Sequence, residues 1–435
     1  MKRNLTELLK QSLSPVQFDL IKLVAFEASA KGIPLYIVGG FVRDLLLRRS
    51  NLDIDLVVEG DAPALAGVLV NKYGGKVTIH SRFGTAKWGI RESKLINKGF
   101  ALNNGPESAL PDFLDLVSAR SETYKHPASL PTVKMGMIKD DLLRRDFTIN
   151  TLALRLDNSY FGDLLDDFGG AEDLERGIIR VLHERSFIDD PTRIYRAIRH
   201  EKRFGFKIAD ETLILLPEAL RWIDRLSPQR IRHELDLILE EPNRALVLAR
   251  LAELDLLKPI HADLPWDEAV KFRLQAEQHP EFIKGRGDSR LMAWLLWLMG
   301  LTNIQIKSLD KRLHFTAPYK KALMAASWLF ADLSKFTNQK PSKCVEYLDE
   351  LPLPAVYAVY LGAPEGLSSL VLEKYLSEWR HVKPKTSGND LKKRGLPPGP
   401  KYQKILHELR NAWLDGEVKD IEAEKIRLEE TLRRP

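Results

Sequence analysis

The chain has 435 residues, 44% hydrophobic and 29% charged, with 66 Lys+Arg against 60 Asp+Glu. That balance excludes a disordered or fibrous protein, and the length asks for two to four packed units rather than one core. Cys344 is the sole cysteine, so no intrachain disulfide forms and an intracellular compartment is favoured, while the +6 charge suits a polyanionic partner without requiring one. The stretch up to Gly32 mixes charges throughout, which predicts amphipathic helices rather than a signal peptide. The apolar run Leu291 to Leu301 is too short to cross a bilayer. A cytoplasmic protein with no membrane partner is expected.

Leu35 to Val38 (LYIV) is a β-branched apolar run stopped by Gly39-Gly40, which predicts a buried strand ending in a tight turn. Phe41 to Leu47 has helical apolar spacing, with Arg43 and Asp44 on the other face. A second strand follows over Asp53 to Val58, where alternation sends Asp53 and Asp55 to one face and Ile54 and Leu56 into the core. Two carboxylates aimed at one space repel unless a proton or cation lies between them, and Mg²⁺ accepts such oxygens together with substrate phosphates. The glycine pair lets backbone approach a ligand, and the N–H groups at the next helix start suit a phosphate. Taken singly, the glycines read as a plain turn and the acids as a solvated tip. In this order (GGFVRDLLL, then DID) they resemble the nucleotidyltransferase superfamily that includes DNA polymerase β. In detail they are similar to the class II tRNA nucleotidyltransferase and bacterial poly(A) polymerase family. That resemblance implies catalytic, Mg²⁺-holding roles for Asp53 and Asp55 and nucleotide binding at Gly39, Gly40 and Arg43.

Ala62 to Tyr73 has helical spacing; Val77 to His80, Thr85 to Ile90 and Phe113 to Ala119 predict strands. Asp115, within the last, is either a third catalytic carboxylate or a charged strand edge. Strands first and helices later give an α+β class: a polymerase-β-like head with a mixed sheet, then an all-helical remainder. Arg120 to Lys139 carries prolines and charge with little periodicity and predicts a long loop. The resembling family has a flexible element there, shortened in enzymes that add only cytidines. This segment is not evidently shortened, which argues against a CC-only enzyme. Asp140 to Asn150 predicts a helix with acids in its first turn and the pair Arg144-Arg145, which either grips phosphate or pairs with Asp140, Asp141 and Asp146. RRDFTIN resembles the family's second motif, which implies contacts of Arg145 and Asp146 with the nucleotide's sugar and phosphates. Asp166 to Arg180 looks like the hinge motif.

In Asp189 to Arg199 (DDPTRIYRAIR), Asp190 and Pro191 predict a helix start, the acid as cap and the proline at the first helical position. Arg193, Arg196 and Arg199 recur every third residue along one side, with Ile194 and Ile198 as an apolar stripe. Such a row implies acidic neighbours or an anionic ligand. The stretch resembles the family's fourth motif, an amino-acid template for the incoming base, although Asp189 stands where glutamate is usual. Cytosine and adenine both pair an exocyclic amine donor with a ring-nitrogen acceptor, which a carboxylate at Asp190 beside a guanidinium at Arg193 would satisfy. Arg196 and Arg199 would then hold the triphosphate. Ser227 to Leu235 resembles the fifth motif.

From about Asn243 the chain reads as successive helices, with Trp266, Trp294, Trp297 and Trp328 expected in cores. His381 to Tyr402 is basic and rich in glycine and proline, and resembles the family's tail segment that grips the tRNA elbow; Lys392, Lys393, Arg394 and Lys401 are its RNA-binding candidates, with a bland basic linker as the rival. The expected domains are a catalytic head (1–165), a base-template neck (166–245), a body (246–340) and a tRNA-binding tail (341–435). The resemblance implies addition or repair of the tRNA 3′ CCA from CTP and ATP. Addition of the terminal A alone, poly(A) synthesis and a non-catalytic RNA-binding role are the alternatives.

Overall fold

A computed structural model describes residues 3–49, 54–80, 84–95, 111–276, 288–364 and 366–433. The chain divides into two compact units, residues 1–226 and 227–435. No helix among the described residues is long and apolar enough to cross a membrane.

The first unit opens with α1 (Thr6–Ser12) and α2 (Pro15–Ala30), the latter started by a reciprocal bond pair between Ser14 and Gln17 with Pro15 at its first position. Next come β1 (Leu35–Val38), α3 (Gly40–Leu46), β2 (Asp55–Val58), α4 (Ala62–Tyr73), β3 (Gly74–His80), β4 (Thr85–Ser93) and β5 (Phe113–Ser118). These follow the sequence-based expectations; Asp53, expected to open β2, lies outside the described residues.

Arg120 to Lys139 corrects the prediction of a loop. Two strands, β6 (Arg120–Thr123) and β7 (Thr132–Met135), pair antiparallel as a separate hairpin. Their side chains are half-buried or exposed, so no apolar alternation announces them in the sequence. After α5 (Ile138–Leu143) come β8 (Ala153–Arg155), β9 (Asp163–Leu165), α6 (Gly170–Arg176), α7 (Ser186–Asp189) and α8 (Thr192–Phe204). The main sheet has seven strands in the order β3-β4-β5-β2-β1-β8-β9, with β2 and β5 parallel and the other neighbours antiparallel. It is the mixed sheet of an α+β head.

Register decides where the chemistry sits. Tyr36 lies opposite Val57 across β1 and β2, and Val38 opposite Ala153 across β1 and β8, so these side chains share a face. Ile138 and Leu142 of α5 pack on that face with Ala119. Asp55, two residues before Val57, projects from the same face, and Asp115 is its register partner on β5. The face covered by α5 is therefore the face that carries the acids.

In the second unit the described residues are mainly helical. Trp294 and Trp297 are fully buried and stacked, ring centroids 5.3 Å apart, with Phe315 edge-on to Trp294 at 5.1 Å. Their indole N–H groups donate to Asp236 and to the Pro265 carbonyl. Trp328 departs from the expected core position: it is 36% exposed, because α-helical spacing turns it away from the buried Leu329 and Ala326. Within the basic tail stretch, Gly388–Lys393 is helical, not loop; Ser387 and Asp390 cap it and Leu391 anchors it against Ile405, Leu409 and Leu428.

Candidate active site

The site grows from the end of β1. Gly39 has φ +72°, a left-handed conformation that favours glycine, and a Cβ there would lie 2.4 Å from Arg145 Nη1. The close approach expected of the glycine pair is thus filled by a guanidinium. Arg43 and Asp44, one turn into α3, are both buried. Arg43 binds Asp44 through Nε and Nη2 at 2.8 and 2.9 Å, donates to Asn150 at 2.7 Å, and lies 4.6 Å over the Phe204 ring of α8. Arg43 therefore ties α3 to α8.

Because α5 packs on the acid-bearing face, its C-terminal end delivers the arginine pair there. Asp141 is fully buried and binds both Arg144 (2.8 Å) and Arg145 (2.9 Å). Burial would raise the Asp141 carboxyl, but the two guanidinium groups outweigh it and hold it below the usual range. Arg144 also reaches Glu122 of β6 at 3.1 Å. Asp140 instead caps α5, accepting the Met137 N–H. Asp146 is buried; one carboxylate oxygen accepts from Phe147 N–H and Asn150, and the other meets Arg196 of α8 at 2.9 Å. Burial is its largest influence, yet Arg196, His200, Asn150 and Arg193 together hold its carboxyl well below the usual range.

Helix α8 starts at Thr192, one residue later than expected, with Pro191 just before it. Asp190 still serves the start, accepting the Thr192 N–H at 3.0 Å and hydroxyl at 2.6 Å. Ile194 and Ile198 are fully buried as the apolar stripe. Arg193 is buried, with Nη1 donating to Ser186 and Nη2 to the Arg144 carbonyl, each at 2.7 Å. Arg199 and His200 are buried as well, His200 lying against Phe147 and Phe204. Burial, with Arg199, Arg43 and Arg196 adding to it and Asp146 opposing, drives the imidazole well below its ordinary value, so it is neutral at pH 7.

These elements enclose one cavity of about 420 Å³, the size of a small-molecule site. Its lining brings together Gly40, Arg43, Asp55, Arg145, Asp146, Asp190, Arg193, Arg196 and Arg199 from the sequence-based candidates. Seven arginines stand against four carboxylates, an excess of positive charge suited to a polyphosphate. Asp115 is not in the lining; Lys87, its register partner on β4, lies 3.6 Å from it. Lys392, Lys393, Arg394 and Lys401 belong to the second unit, where all four are exposed and Arg394 pairs with Glu429. Asp53 lies outside the described residues. Sequence reading missed Glu122, Tyr124, Asn150, His200 and Arg203. Arg203, four residues beyond Arg199, continues the helical face and was findable by spacing; Glu122 and Tyr124 were hidden in the supposed loop.

The chemistry of the donor set fits a hard divalent cation: Asp55 offers carboxylate oxygen to the cavity, and Asp115 stands beside it in register. Among the described residues no group of three or more His, Cys, Asp or Glu is clustered as a metal cage. A cation here would share its ligands with substrate, as Mg²⁺ commonly does.

Residues 35–180 match a family described as Poly A polymerase head domain, and residues 205–266 match the Probable RNA and SrmB-binding site of polymerase A. The chain is 32% identical over 418 residues to the A-adding tRNA nucleotidyltransferase of Halalkalibacterium halodurans, covering 93% of this chain and 91% of that protein. It is 33% identical to the A-adding tRNA nucleotidyltransferase of Geobacter sulfurreducens over 89% of its own length but only 44% of that longer protein. Identity to the CCA-adding enzyme of Geobacillus stearothermophilus is 27%, over 91% of this chain and 92% of that one. An apo CCA-adding enzyme superposes with a TM-score of 0.82 at 30% identity over 99% of both chains. The Thermotoga maritima CCA-adding enzyme complexed with tRNA superposes with a TM-score of 0.76 at 30% identity over 99% and 98%. In sequence along its length and in fold alike, the chain belongs to the class II tRNA nucleotidyltransferase family.

Proposed function

We propose that this chain completes or repairs the 3′ CCA end of tRNA in the cytoplasm, transferring nucleoside monophosphates from CTP and ATP without a nucleic-acid template. The observation that carries the reading is the single cavity whose lining joins Asp55 to the arginines of α5 and α8. The tRNA 3′ hydroxyl attacks the α-phosphorus, a new P–O bond forms, the bond to the β-phosphate oxygen breaks, and pyrophosphate leaves. Asp53 and Asp55 would hold Mg²⁺, which when bound activates the hydroxyl and neutralises the leaving group. Arg145, Arg196 and Arg199 bind the triphosphate, with Asp146 orienting Arg196. Asp190 and Arg193 read the amine edge shared by cytosine and adenine; two of the five Arg193 N–H groups are spent on Ser186 and the Arg144 carbonyl, which fixes its plane. Uracil or guanine would set a carbonyl against the Asp190 carboxylate, a mismatch that costs about 1–3 kcal/mol. Residues 166–245 act as neck, 246–340 as body and 341–435 as a tail whose lysines meet the tRNA elbow.

A second reading, addition of the terminal A alone, draws on the two A-adding relatives at 32 and 33% identity, against 27% and 30% for the CCA-adding ones. One experiment decides. The protein is incubated with tRNAs ending before, within and one nucleotide short of CCA, with CTP and ATP separately and together. Full CCA synthesis supports the first reading, and A added only after CC supports the second. Long A tracts on any RNA would identify a poly(A) polymerase, and no transfer at all would overturn the enzymatic reading.

A further inference from the structure

The β6–β7 hairpin contributes two side chains to the cavity, Glu122 and Tyr124, which none of the family motifs contains. Glu122 is nearly buried at its carboxylate and accepts three bonds: from Arg120 and Arg144 at 3.1 Å each, and from the Tyr124 hydroxyl at 3.2 Å. Arg144 in turn offers its backbone carbonyl to Arg193 at 2.7 Å. A continuous chain of bonds thus runs from the Tyr124 ring through Glu122 and Arg144 to the guanidinium that faces the base. Tyr124 itself is half-buried, and burial, with Glu122 and Asp190 adding to it and Arg193 opposing, pushes its hydroxyl up to about 12, so it is neutral and a donor at pH 7. That chain of bonds links the Tyr124 hydroxyl to Arg193, in a lining the ring shares with Asp190. The aromatic rings in the lining are Tyr124 and His200, and His200 is already packed between Phe147 and Phe204. Tyr124 makes no ring contact with another aromatic among the described residues.

We propose that Tyr124, fixed by Glu122, is the stacking wall for the incoming base and a specificity-determining residue that favours adenine over cytosine. The inference rests on reading the cavity as a nucleotide site. Its physics is area: Asp190 and Arg193 see the same edge on both bases, so they accept either, whereas a π-face rewards the larger purine ring more. Hydrogen bonding admits the two bases and stacking ranks them.

The test measures ATP and CTP binding by isothermal titration for the wild type, Tyr124→Phe, Tyr124→Leu and Tyr124→Ala, alongside kcat/KM for each nucleotide on a tRNA acceptor. Loss of the ring in the Leu and Ala variants should weaken ATP roughly tenfold and CTP less than about threefold, within the range known for base–aromatic stacking. The Phe variant, which keeps the face and loses only the bond to Glu122, should restore most of the ATP affinity. Equal losses for both nucleotides, or an unchanged preference with Leu, would overturn the proposal while leaving the nucleotide site intact. Failure of the wild type to bind either nucleotide would overturn the nucleotide-site reading itself, and the proposal with it.

Discussion

Helix α8 buries Arg193, Arg199 and His200 beside Asp146, whereas the helix Ser289–Leu298 in the second unit buries Trp294 and Trp297 face to face. Both helices are covered to a similar degree, yet one is covered charge and the other covered aromatic surface. Burying aromatic area stabilises a fold directly. Burying ions costs desolvation that pairing only partly recovers, so a fold retains them where a ligand needs a prearranged field. The two interiors thus differ in kind: the aromatic one stabilises its unit by area, and the charged one holds its ions by pairing.

Four substitutions probe the two interiors. The largest effect belongs to the aromatic interior: Trp294→Ala should destabilise the second unit by about 3–5 kcal/mol, seen as a fall in its thermal or denaturant midpoint. A loss under about 1 kcal/mol would mean the stack carries little. Next, Asp146→Asn removes the partner of Arg196 and should lower the stability of residues 1–226 by about 2 kcal/mol, because Arg196 is partly exposed and water replaces some of the pairing. The sign with pH follows: the folded carboxyl titrates below its unfolded value near 4, so its stabilisation is full above about pH 4 and is lost as pH falls below that. Acid unfolding of the Asn variant should therefore show a shallower decline in that window. Gly39→Ala forces an L residue into φ +72° against Arg145, a strain of roughly 1–2 kcal/mol, and should raise KM for the triphosphate more than it changes kcat. The smallest effect concerns His200, whose folded value lies well below 6.5. The stability from keeping it neutral is full above about pH 6.5 and declines below it, at most about 1.4 kcal/mol per pH unit. His200→Phe should flatten that slope in urea midpoints measured between pH 7.5 and 5.

The same contrast separates what is legible in the sequence from what is not. Strand β1, the turn at Gly39-Gly40 and helix α4 announce themselves because apolar period and glycine chemistry are local. The arginine face of α8 is equally visible, since spacing alone aligns Arg193, Arg196 and Arg199. The β6–β7 hairpin was hidden because its strands bury little and pair only with each other, so nothing periodic marks them. Glu122 and Tyr124 went with it. The bonding of Arg43 to Asn150, and of Asp146 to Arg196, joins residues far apart in sequence and follows from how α8 and the 146–150 turn pack, which single-residue patterns do not encode.

On the proposed function, this charged interior has a binding end at Arg199 and a reacting end at Asp55. Single-turnover extension of a CC-ended tRNA with ATP, run beside tRNA and ATP binding, tests it in Asp55→Ala and Arg199→Ala. Asp55→Ala should slow transfer at least about a thousandfold with tRNA affinity unchanged, while Arg199→Ala should weaken ATP binding at least about tenfold. Transfer at near wild-type rate in Asp55→Ala would contradict it.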